Sequence, residues 1–237
     1  YVQDLVSFTT PAGVNKALIA GYAASGAPLS ATTSWLMQYN LDTAAVDTTF
    51  GGINGAAPGT ASGAIKQLNA IGLQSTGRAI ASGLYYDNTG TIVGYTPAGK
   101  LDNSFGSQGF YFTPATTGIY SHAIDSKNRI VFAYNNGSGT VIVARLLADG
   151  SGLDTTFNST GTITTPITGI STSPTDQIRV ALNNSDQVYV AAVNNSGQNY
   201  AVYQYDVNGS VLAGPGNATG ANLGGGSPVL TIAKLLV

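Results

Sequence analysis

The chain has no cysteine and no glutamate, and only one histidine. Without thiols, without Glu and with a single imidazole, the usual inventories of metal ligands and general bases are nearly empty. Charge is also scarce. Charged residues make up 8% of the chain, against about 25% in an ordinary soluble domain. The nine basic residues are scattered singly, which argues against nucleic acid as a partner, since phosphate binding needs clustered Lys and Arg. No run approaches the ~20 apolar residues of a bilayer-spanning helix. The apolar C-terminal stretch Val229 to Val237 is short and interrupted by Lys234. All 11 acidic residues are Asp, a turn former and poor helix former, and they accompany 31 Gly. Long helices are therefore not expected, and the composition reads as all-β. At 237 residues a core of useful size can form without a metal or disulfide.

What is present is a repeat. Leu153-Asp154-Thr155-Thr156-Phe157 has counterparts in Leu101-Asp102-Asn103-Ser104-Phe105 and Val46-Asp47-Thr48-Thr49-Phe50. The phenylalanines are 55 and 52 residues apart, a length that suits one four-stranded propeller blade. A fourth copy is expected at Asn208 to Leu212, with Ala213 and Gly216 in place of the Asp and Phe. Between motifs lie short runs rich in Val, Ile and Tyr, such as Ile65 to Leu73, Arg129 to Tyr134, Val141 to Arg145 and Tyr200 to Tyr205. Clusters of Gly, Asn, Asp and Ser separate them, the pattern of consecutive antiparallel hairpins. We read a single β-propeller domain over 1–237, in repeat units of approximately 1–54, 55–106, 107–158 and 159–237, each a four-stranded antiparallel blade.

Phe110 to Phe112 and Thr162 to Thr164 read as the strands that open the third and fourth units. On that count the N-terminus starts on a second strand, and Val229, Leu230, Thr231, Ile232 and Ala233 fall where the next first strand belongs. The expectation is a ring of four blades closed by this C-terminal strand completing the first blade. The alternative is four repeats of a longer ring. The chain begins with Tyr, which points to a removed leader or an excised segment.

The run Ile142 to Gly150 followed by Leu153 to Phe157, and the run Tyr95 to Gly109, resemble the delta-60 repeat, a bacterial repeat family. That family's Asp-Gly-Lys turn appears in altered form as Lys127-Asn128-Arg129 and Thr76-Gly77-Arg78. The resemblance implies a β-propeller and carries no catalytic residues, so it transfers a fold and not an activity. In the motif itself, Leu101, Leu153, Phe50, Phe105 and Phe157 are large apolar groups among small ones. Each Phe is expected in the seam between adjacent blades, where its burial is worth about 1.5–3 kcal/mol. Asp47, Asp102 and Asp154 are expected to shape Asx-type turns, with ligand binding as their second reading.

Other candidates are thin. His122 and Asp125 could form a dyad, but a plain strand histidine is the stronger reading. Asp149 to Asp154 and Asp206 to Ser210 faintly resemble calcium loops without the spaced carboxylates that such loops need. The Asn-x-Ser/Thr triplets are expected by chance in this composition. Of 13 tyrosines, Tyr203 and Tyr205 should share a strand face, which suits packing or, with Asn, carbohydrate or protein recognition. No cofactor is implied. The expectation is a non-enzymatic, extracellular or cell-surface module, bacterial by its resemblance, that assembles with itself or a surface protein. The alternative is a glycan- or protein-binding propeller that uses loops on one face.

Overall fold

A computed structural model describes residues 1–25, 31–51, 56–58, 65–115, 117–165, 178–193 and 200–212. They form sixteen strands, and no helix occurs among the described residues. The fold class is all-β, built from antiparallel propeller-blade sheets. The chain divides into two compact units, Tyr1–Thr113 and Pro114–Val237.

In the first unit, sheet one contains β1 (Val2–Thr9), β2 (Asn15–Ser25), β3 (Ala31–Asn40), the short β4 (Ala45–Val46) and β5 (Ala56–Pro58), which also pairs with β3. Sheet two runs β6 (Ile65–Leu73), β7 (Ala79–Tyr85), β8 (Gly90–Tyr95) and β9 (Phe110–Phe112). In the second unit, sheet three runs β10 (His122–Ile124), β11 (Ile130–Asn135), β12 (Val141–Leu146) and β13 (Thr162–Thr164). Sheet four contributes β14 (Ile178–Leu182), β15 (Val188–Val193) and β16 (Tyr200–Tyr205).

The central strands read as near-continuous apolar runs because both their faces are covered. Every residue of β8 and β11 is buried. Within each unit the two sheets share one core. Leu18, Leu36, Phe50, Leu68, Ala81 and Val93 belong to that of the first, and Val131, Val143, Phe157, Val180, Val190 and Tyr205 to that of the second. Polar groups also tie sheet to sheet. The Ile71 amide donates to Asp4 at 3.0 Å, and the Val180 amide donates to Ser121 Oγ at 3.0 Å.

The boundaries between blades differ from those expected. Phe110–Phe112 pairs back onto β8 and Thr162–Thr164 back onto β12, so each is the last strand of its sheet and does not open the next. The cause lies just after the motif, where Gly109 at φ 98° and Gly161 at φ 81° reverse the chain onto the strand it has just left. In sheet one the corresponding place is filled by β5, so β1, β2, β3 and β5 match the four strands of sheets two and three, beside the short β4. Val229, Leu230, Thr231, Ile232 and Ala233 lie outside the described residues.

The fourth motif is also one residue earlier than expected. Val46, Leu101 and Leu153 bridge to Tyr39, Tyr95 and Leu146, and Val211 makes the same bridge to Tyr205. The next amide, that of Asp47, Asp102 or Asp154, donates to the carbonyl of Gln38, Gly94 or Arg145. In the fourth copy Leu212 makes this bond, to Gln204. Leu212, not Ala213, holds the Asp position. Gly216 lies outside the described residues.

Candidate functional site

The motif builds the same small cell in each of the first three repeats. Oδ1 of Asp47, Asp102 and Asp154 accepts the amide of Thr49, Ser104 and Thr156 at 3.0 Å. It also accepts the hydroxyl of the same residue at 2.6 Å. The other oxygen faces a cation from the start of the second strand. Lys16 Nζ lies 2.7 Å from Asp47 and Arg78 Nε 2.7 Å from Asp102. Asp154 holds two arginines, with Arg145 Nε at 2.9 Å and Arg129 Nη1 at 3.0 Å. The arginines also lie over the motif rings, Arg145 at 4.6 Å from the Phe157 centroid and Arg78 at 5.8 Å from that of Phe105. A guanidinium suits this place because one planar group can pair a carboxylate and cover a ring face.

These contacts keep the aspartates ionised. Lys16 and the Thr49 hydroxyl hold the Asp47 carboxyl far below its ordinary value. At Asp102 and Asp154 burial works upward, but it is outweighed by the Ser104 or Thr156 hydroxyl and by the arginines, so both are lowered. A carboxyl with a lowered value donates no proton near neutrality, so these three act as acceptors and counter-ions. Their contribution to stability is complete above the ordinary Asp value of about 3.9 and is lost as pH falls through it toward the folded-state values. Accordingly, the melting temperature should be level from about pH 5 to 8 and fall below about pH 4, with a shallower fall in Asp102→Asn. A wild-type melting temperature indifferent to acid would refute the role given to these pairs.

The fourth repeat has lost both signs of charge together. Gln187 takes the cation's position and Leu212 that of Asp. Gln204 Nε2 donates to Gln187 Oε1 at 3.2 Å and to the Tyr189 hydroxyl at 2.8 Å. Losing one partner alone would leave a charge half-buried without compensation, whereas losing both avoids that penalty.

A cleft of about 670 Å³ opens beside the first cell, a volume in the range of small-molecule sites. Its lining comes from Phe8 to Pro11 on the β1–β2 hairpin, Leu73 to Gly77 on the β6–β7 hairpin, Lys16, Leu18 and Gln38 from β2 and β3, and Pro97. The matching hairpins of the second unit are latched. There the Ser126 amide and hydroxyl donate to Asp186 at 3.0 and 2.5 Å. Turn hydrogen bonds give Pro11 the turn position of Ser126 and Gly77 that of Asp186. The β1–β2 turn lies two residues further out on each strand, since Phe8 faces Lys16 where Asp125 faces Arg129. Pro11 has no N–H and Gly77 no side chain, so the first unit cannot make this latch. Gly77 and Asp186 both adopt positive φ, 83° and 58°.

The residues singled out by sequence fall into place as follows. Phe50, Phe105 and Phe157 are buried, and Leu101 and Leu153 are partly so. Phe50 packs on Gly99 of the next sheet's turn and Phe157 on Gly209, where a Cβ would come within 2.8 and 3.1 Å of the rings. Asp125 does not serve a dyad. Its Oδ1 accepts the amides of Lys127 and Arg129, and its Oδ2 pairs with Arg129 Nε at 2.6 Å. Asp149 and Asp206 likewise accept amides two residues on, and no cluster of metal-ligating side chains occurs among the described residues. The rings of Tyr203 and Tyr205 stack at 6.4 Å, with Tyr205 buried in the core. Burial and the neighbouring Tyr203 push the Tyr205 phenol up to about 12. Sequence reading missed the cations and the cleft. The cations did leave a signal, since Arg78 and Arg129 stand 24 and 25 residues before their aspartates.

No protein-family model matches the chain, and no curated protein matches it. Among solved structures it is similar to a GH43_1 enzyme of Xanthomonas citri, at 10% identity over 87% of this chain and 70% of that one, with a TM-score of 0.42. It is also similar to an exo-β-1,3-galactanase of Phanerochaete chrysosporium with galactose, at 11% identity over 90% of this chain and 48% of that one, TM-score 0.41. A form of that galactanase with β-1,3-galactotriose gives 13%, 90%, 48% and 0.40. The chain thus spans about half the length of the galactanase chains. The non-enzymatic character expected from the sequence is corrected here, because the solved structures it resembles are enzymes. The likeness is one of fold, and no residue role passes with it.

Proposed function

We propose that the chain binds glycan through the cleft of its first unit. The observation that carries this reading is the make-up of the lining. Thr9, Thr10, Gln38, Gln74, Ser75 and Thr76 supply neutral donors and acceptors, beside the apolar surfaces of Phe8, Pro11, Leu73 and Pro97. A sugar ring presents the same combination, hydroxyls around its edge and C–H groups on its faces. Sites for such ligands pair apolar lining with a few placed polar groups. The low-charge, Thr- and Asn-rich composition supports a place outside the cell, and the delta-60 resemblance of the repeats stays within this proposal.

Two variants test it on a glycan array. Pro11→Ser/Gly77→Asp supplies the residue types of the latch in the second unit, and Thr76→Trp fills the cleft with an indole. Wild-type protein should retain specific glycans, and both variants should lose at least about tenfold in affinity, or 1.4 kcal/mol. Undiminished binding by both would place the glycan elsewhere.

A further inference from the structure

Resting on that reading, we infer that the cleft selects neutral saccharides over acidic ones, and that Asp47 sets this preference through Lys16. Lys16 is the one charged residue among the described residues of the lining. A lone ammonium there would be a ready partner for a uronate carboxylate. It is not alone. Its Nζ lies 2.7 Å from Asp47 Oδ2, and the same oxygen accepts Gln38 Nε2 at 2.8 Å.

Asp47 is fixed in turn by the Thr49 amide and hydroxyl on its other oxygen. The carboxylate therefore cannot swing away when an anionic ligand arrives. A uronate approaching Lys16 meets an ammonium already neutralised, with a fixed negative charge just behind it. Like charges brought together in this way discriminate against the wrong ligand. The net charge of −2 adds a weak repulsion of the same sign. A neutral sugar has no such opposition, and the hydroxyls and amides around Lys16 suit it. The charge pair thus keeps the lysine in place as a hydrogen-bond donor while withholding it from anions.

Calorimetric titration of matched tetrasaccharides tests the inference, with β-1,4-linked glucose, mannose and galactose each set against its C6-oxidised uronate counterpart. The members of a pair differ only in CH2OH against carboxylate. The expected result is that at least one neutral member binds about tenfold or more tighter than its uronate partner. Asp47→Asn, checked for cooperative melting, should then gain at least about tenfold for the uronate, because Lys16 becomes an unpaired cation. Equal or tighter binding of uronates by the wild type would overturn the selectivity and leave the glycan cleft standing. A folded Asp47→Asn that gains no uronate affinity would overturn the role of Asp47. If no member of any pair binds, the glycan reading itself fails, and the selectivity with it.

Discussion

Replacing Asp154 by Ala should destabilise the second unit by about 3–5 kcal/mol, the cost of breaking a buried ion pair from one side. The size of the effect follows from what is left behind. Arg145 and Arg129 both point at this carboxylate, at 2.9 and 3.0 Å, with side chains only 2% and 13% exposed. Burial and the charge of Arg129 already pull the Arg145 guanidinium below its ordinary value, and Asp154 opposes both. Remove the aspartate and Arg145 loses the carboxylate it pairs with, while Arg129 keeps only Asp125. The turn also loses its acceptor for the Thr156 amide and hydroxyl. The fourth repeat suggests how the loss can be relieved. There Leu212, Gln187 and Gln204 occupy the positions of Asp154, Arg129 and Arg145. Asp154→Leu with Arg129→Gln and Arg145→Gln should therefore be more stable in urea than Asp154→Leu alone. A triple variant less stable than the single one would show that charge compensation is not what these residues supply.

Phe157→Ala is expected to cost about 3–5 kcal/mol, near 6–20 °C of melting temperature for a chain of this size. The ring is fully buried in the core of the second unit. The Arg145 guanidinium covers one side of it, and the Gly209 turn of the next sheet approaches within a methyl group's reach. Neither a guanidinium held by a carboxylate nor a backbone turn can collapse into the space a benzyl group leaves, so a cavity should persist. Leu5→Ala provides the contrast. Leu5 is also apolar but 54% exposed, and its loss should stay within about 0.5 kcal/mol. Equal effects of the two substitutions would contradict the place given to Phe157.

How much of this could be read from the chain depends on which property is asked for. Strand positions were legible because alternation and turn chemistry are local. Ile65–Leu73 and Tyr200–Tyr205 fall where the sequence puts them. The spacing of Phe50, Phe105 and Phe157 gave the period of the repeat. A period has no phase, however, and nothing local tells whether Phe110–Phe112 pairs backward or forward. That choice is made by the reversal at Gly109, two residues upstream of Tyr111, and by the ladder onto β8. The fourth motif slipped by one residue for a related reason. With the Asp gone, its register is fixed by the bridge from Val211 to Tyr205 and the bond from the Leu212 amide to Gln204.

The cleft was illegible for a different cause. It lies between two hairpins distant in sequence, whose turns carry Pro11 and Gly77 at the turn positions of Ser126 and Asp186 in the second unit. Each residue alone is an ordinary turn former. Only the comparison of two folded units shows that together they forgo a latch. The cations are intermediate. Arg78 and Arg129 were visible as part of altered turns, but their partners come from the far side of the repeat and require the folded sheet.

The central claim, a saccharide seated between the β1–β2 and β6–β7 hairpins, is most directly tested by following backbone amide shifts in 1H–15N spectra. The titrant would be the neutral tetrasaccharide that binds best. The account predicts the largest shifts at Thr9, Thr10, Ser75, Thr76 and Gly77, with small ones at Ser126 and Asp186. Largest shifts in the second unit, or none anywhere at saturating sugar, would contradict it.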